Sequence, residues 1–159
     1  MVQYVQISND IVTTVFGCHQ PVTSDKPGYA EIADNDPRFL AWQAARAATA
    51  AASTLLAGGL AVTSTGTPSL NATYPCDPVS QQLVTSDQVY IATTGKFTNG
   101  GTTRGWKDIT GTLHTFASPA DFTTFAEAVA QFVDAVAAAL DIALAGGSWV
   151  APSNNATIG

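Results

Sequence analysis

Between residues 118 and 145 the chain has little choice of structure. Phe122, Phe125, Val129, Phe132, Val136 and Leu140 recur at steps of 3, 4, 3, 4 and 4, the spacing that lines one side of an α-helix with apolar side chains. Ser118 stands at the N-cap position, Pro119 at the first helical position and Asp121 in the first turn, a capping-box-like start. Glu127, Asp134 and Asp141 recur every seven residues outside the seam. Burying its phenylalanines stabilises a fold by roughly 1.5–3 kcal/mol each, so the rest of the chain must supply a surface for this helix. The seam is short of three heptads, which favours packing within one chain over a coiled coil between subunits.

The same punctuation marks two further helices. Asp36 and Pro37 open an Ala-rich run that Gly58-Gly59 stops. Its large residues sit at the ends, Phe39, Leu40 and Trp42 in front and Leu55 and Leu56 behind, with alanine between. Alanine favours helix but buries little area. Such a helix either lies close against another backbone or spans two anchored ends. Asp77 and Pro78 open another, ending near Gly95, with an expected apolar side of Val79, Leu83, Val84, Tyr90 and Ile91. The three starts are 41 residues apart, but the intervening segments share no pattern and are not read as a repeat.

Strand signals fill the remainder. "MVQYVQI" and "IVTTVF", joined by Ser8-Asn9-Asp10, read as a hairpin, and "GYAEIA" as a third strand. Residues 60–76 fit one or two short strands. "GWKDITGTLHTF" reads as a hairpin closed by Thr110-Gly111. The expected fold class is α+β: a small N-terminal antiparallel β unit over residues 1–35, a connecting Ala-rich helix over 36–59, a strand/helix/hairpin/helix unit over 60–147 and a C-terminal tail over 148–159.

Net charge is −6 and the six basic residues are scattered, so no row of phosphates is matched and no nucleic-acid partner is expected. No membrane span is expected, because the most apolar segment carries Glu127, Asp134 and Asp141. The first residues have neither the basic region nor the apolar run of a signal peptide, and Cys18 and Cys76 are expected as reduced thiols of a protein made in a cytoplasm. Only 11 % of residues are charged, which fits either a subunit shielded by neighbours or a plain Ala/Thr-rich domain.

Catalytic constellations are thin. Asp108, His114 and Ser118 can be drawn as a triad, yet Ser118 is better used as a helix cap. Asp108 and His114 read as polar groups facing each other across the hairpin. Cys18-His19 cannot enclose a tetrahedral ion unaided, and no second Cys/His pair exists. The Gly-rich "TGKFTNGGTTRG" lacks phosphate-loop spacing. Asp34 and Asp36 read as turn and cap residues. Trp42, Trp106 and Trp149 are either packing anchors or sugar platforms, with packing preferred. No catalytic, cofactor-binding or metal-binding residue is assigned, no cofactor is expected, and the chain is expected not to be an enzyme.

Two stretches resemble bacteriophage tail proteins. "GYAEIADNDPRFLAWQ", residues 28–43, resembles the close of a small β-unit at the start of many tail-fibre and fibre-assembly proteins. Residues 70–136 are similar to an uncharacterised domain recurrent in phage tail genes, with the pattern Y-x-x-D-P-x-S-Q, a helix, a Gly-rich loop, W-x-D-x-x-G-x-x-H-x-F and a second helix. Tyr74, Asp77, Pro78, Ser80, Gln81, Trp106, Asp108, Gly111, His114, Phe116 and Phe122 carry it here, and Cys76 stands where the family has an aliphatic residue. The resemblance implies a non-enzymatic role in the virion tail, in a fibre, tip or baseplate. The partners it implies are other tail proteins, and the chain itself is expected to be a homo-oligomer, a trimer if it belongs to a fibre. The alternatives are a tail-fibre assembly chaperone absent from the mature particle and a glycan-binding module. The resemblance supplies no ligand residues. It implies that Trp106 and Phe116 pack on the last helix while Asp108 and His114 secure the turn.

Overall fold

The computed structural model describes residues 2–17 and 28–159. The fold is α+β, and the described residues form three α-helices and three small sheets. The first sheet, in the order β2-β1-β3, is antiparallel and comprises β1 (Val2–Ser8), β2 (Ile11–Phe16) and β3 (Tyr29–Ala33). Asn9 and Asp10 close its hairpin with φ of 51° and 63°, the left-handed pair that a two-residue turn between right-twisted strands needs. A bulge between Gln6 and Ile7 shifts the register, and Val5 is the β1 side chain that is fully buried.

Helix α1 (Pro37–Gly58) starts where the sequence places it, with the Asp36 carboxylate accepting from the Arg38 backbone N–H. It ends at Gly59, whose φ of 78° and close approach to the Tyr74 carbonyl leave no room for a Cβ. Its two ends enter different cores. Phe39 and Trp42 join Val5, Val12 and Ile32 in a small N-terminal cluster, while Ala52, Leu55 and Leu56 pack in the main core. Both roles open to an alanine helix are filled: its ends are anchored in the two clusters, and between them it lies close against the helix over residues 119–144, with Ala48 and Ala52 buried. Leu40, expected as an anchor, is exposed.

The main core is built on α3 (Pro119–Leu144), with Ser118 accepting from the Asp121 N–H as its cap. Phe122, Phe125, Val129, Phe132 and Val136 are all buried, and Leu140 packs against them half-buried. Over the helix lies a sheet ordered β5-β4-β8, from β4 (Leu60–Ser64), β5 (Ala72–Tyr74) and β8 (Asn155–Ile158). Strand β8 corrects the expectation of a tail over residues 148–159. It runs parallel to β4, with Ala61 through Ser64 paired to Asn155 through Ile158, and Ile158 is buried. Trp149, just before it, is half-buried against the same core.

Helix α2 (Pro78–Thr94) departs from the expected apolar side. Val84 and Asp87 are buried and Ile91 packs on the core, whereas Val79, Leu83 and Tyr90 are exposed. The two groups lie roughly a quarter turn apart around the helix, and α2 meets the core along only the first of them.

Candidate functional site

The hairpin of β6 (Arg104–Lys107) and β7 (Leu113–Phe116) carries the residues most suggestive of chemistry. Trp106 and His114 are cross-strand partners, and the turn beyond them is organised by Asp108. Its Oδ1 accepts from the backbone N–H groups of Thr110 and Thr112, at 2.8 and 2.9 Å, and from the Thr110 hydroxyl at 2.7 Å. Gly111 completes the turn with φ of 87°, where a side chain would be strained.

The other carboxylate oxygen of Asp108 lies 3.1 Å from His114 Nε2, and His114 Nδ1 lies 2.8 Å from the Ser69 carbonyl oxygen. With an acceptor at each ring nitrogen, the cationic imidazolium is the form that satisfies both. Its pKa is raised, first by the bond to Ser69 and then by Asp108. The Asp108 carboxyl is lowered to about 2, chiefly by the Thr110 hydroxyl and then by His114. Tyr74 meets the imidazole edge-on at 5.6 Å and donates its own hydroxyl to the Leu70 carbonyl. The group is a clasp tying the hairpin to the segment before β5. Neither His114 nitrogen is free to take a proton from a nucleophile, and the Ser118 side chain caps α3 instead.

Behind the clasp, aromatic rings fill the core. Phe122 lies 5.2 Å from both Phe97 and Phe116 and 5.4 Å from Trp106, within the range of favourable ring contacts. Trp106 and Phe116 therefore pack on α3, as the resemblance implies. Trp42 stacks on Phe39 and carries the Arg46 guanidinium 4.8 Å above its ring.

A second polar centre escaped the sequence reading. Asp87 is 1 % exposed; its Oδ1 accepts from the Thr98 backbone and hydroxyl, and Oδ2 sits 3.0 Å from Arg104 Nε. Those last two atoms lack a hydrogen-bonding angle, so they attract as charges rather than through a directed bond. The signal was available: Asp87 falls between Val84 and Ile91 at steps of 3 and 4, a carboxylate on the helix's own apolar stripe. The Gly-rich loop folds around buried Phe97, whose N–H donates to the Gly101 carbonyl, while Gly100 donates to Phe97 and Gly101 to Asn99. Its amides are turned inward to the chain.

Among the described residues no group of three or more His, Cys, Asp or Glu side chains is placed to hold a metal ion. Cys18 and His19 lie outside the described residues. Cys76 is free and buried, and burial pushes its thiol up to about 11, far from a reactive thiolate. Asp36 caps α1 and Asp34 lies in the turn before it. Among the described residues no helix is long and apolar enough to cross a membrane. No family model, no curated protein and no solved structure matches this chain.

Proposed function

We propose that this chain is a non-enzymatic structural component of a bacteriophage tail, in a fibre, tip or baseplate, that works by binding other tail proteins. The phage assignment rests on the resemblance of residues 28–43 and 70–136. One observation carries the non-enzymatic part: the side chains of the W-x-D-x-x-G-x-x-H-x-F pattern converge on a single scaffold. Asp108 and His114 close the hairpin, and Trp106 and Phe116 pack against Phe122. Their chemistry is spent on holding the chain together, which leaves outer surfaces as the working parts. The exposed Val79, Leu83 and Tyr90 stripe of α2 is one such surface, suited to contact in a protein-rich assembly. Self-association, as a trimer in a fibre, fits the sparse surface charge.

Mass spectrometry of gradient-purified virions tests the reading. Presence in fixed stoichiometry with known tail chains is expected. Absence from particles, with association to fibres during their folding, makes the protein an assembly chaperone and overturns the structural role. Binding on a glycan array that His114→Ala and Asp108→Ala abolish in folded protein overturns the non-enzymatic contact role in favour of a sugar-binding module.

A further inference from the structure

We propose that the groove between α2 and α3 seats a basic amphipathic helix from another protein. This rests on reading the chain as a contact-making module, and not on which particle it occupies.

The groove holds about 500 Å³. Its floor is apolar, with Val84 and Val129 buried and Val133 half-buried, and exposed Ala130 and Ala137 leave its α3 wall low. A helix presenting apolar residues at steps of three and four fits such a trough.

Charge selects the occupant. Glu127 and Asp134 line the groove, both exposed, and Asp141 follows at the same seven-residue step. Neither α2 nor α3 contains a lysine or arginine. Seven residues correspond to about 10 Å along a helix, so a partner with Lys or Arg at i and i+7 beside its apolar stripe meets both rim carboxylates. A second copy of this chain does not. Its α3 would set acid against acid. In its α1, Arg38 is held by Asp10 and Asp36, which leaves Arg46, and the positions seven residues either side are Phe39 and Ser53.

The test uses the full chain and two helix-constrained synthetic peptides of about four turns. Both carry leucines along one stripe; one flanks it with lysines at i and i+7, the other with glutamates. Fluorescence anisotropy is expected to show saturable binding of the lysine peptide, at least about tenfold tighter than the glutamate peptide and weakening with salt. Ala130→Phe, which fills the groove from an exposed position, should abolish binding while circular dichroism stays unchanged. Glu127→Gln with Asp134→Asn should keep the fold and remove most of the salt dependence. No binding, equal affinities, or binding indifferent to Ala130→Phe overturns the proposal. So does self-association, seen by sedimentation, that Ala130→Phe abolishes, since the occupant is then a second copy. A failed titration with the protein present in virions overturns the groove alone, and the converse result overturns only the tail reading.

Discussion

Removing the Asp87 carboxylate leaves Arg104, whose side chain is 24 % exposed, facing a partly closed space without its counter-charge. Breaking such a pair from one side costs about 3–5 kcal/mol when both groups are deeply buried. Partial exposure of Arg104 places Asp87→Ala near the low end, about 3 kcal/mol. Asp87→Asn keeps an acceptor for Thr98 and should cost less; urea denaturation of both variants checks the order. The hairpin clasp makes a different prediction, in pH. The pKa of His114 is raised above 6.5 in the fold, so its contribution is whole below pH 6.5 and fades as pH climbs through the raised value. Asp108 is lowered from 3.8 to about 2, so its contribution is whole above pH 3.8 and fades as pH falls toward 2. The clasp is therefore strongest between pH 3.8 and 6.5. Urea midpoints of the wild type should fall on the alkaline side of that window, and His114→Gln should flatten that limb.

At the level of elements, α3 and β8 show how differently two stabilising segments announce themselves. Phe122 is fully buried against Phe97, Trp106, Phe116 and Phe125. Phe122→Ala should cost about 3–5 kcal/mol, read from the urea midpoint. Strand β8 is only four residues long, and Ile158 is its one buried side chain. The β4 pairing and that side chain hold it, together with the Thr65 N–H donating to the Ile158 carbonyl. Ile158→Ala should cost about 2–5 kcal/mol, whereas the same change in an unattached tail would be silent. Chemical denaturation decides between these outcomes.

Over the whole molecule, α1 is the member that joins two cores of unequal size. The N-terminal cluster centres on Val5, Val12, Ile32 and Phe39, far fewer side chains than surround α3. A small core opens with a lower free energy than a large one in the same chain. Phe39→Ala should therefore release the first sheet while the aromatic core stays folded. Amide hydrogen exchange is expected to show lost protection in β1 to β3 and unchanged protection in α3. Loss of protection in both regions at once would mean that α1 couples the cores into one cooperative unit.

What the sequence determined by itself was local. Caps at Asp36, Asp77 and Ser118, glycine stops, the 3-4 seam of α3 and the turn-forming Asn9-Asp10 and Thr110-Gly111 pairs act over a few residues. Their elements are therefore legible without knowing what lies opposite. The Asp108–His114 clasp was legible for the same reason, since both partners belong to one hairpin. Its third contact, the Ser69 carbonyl, lies 45 residues away and was not. Tertiary structure decided which of the two apolar stripes of α2 was buried, because both have helical spacing and only packing against α3 distinguishes them. It also decided that Asp87 would meet Arg104 and that the last residues would pair with β4. Such contacts depend on distant segments arriving together, and the free energy that selects among them comes from burying surface that no short window of sequence contains.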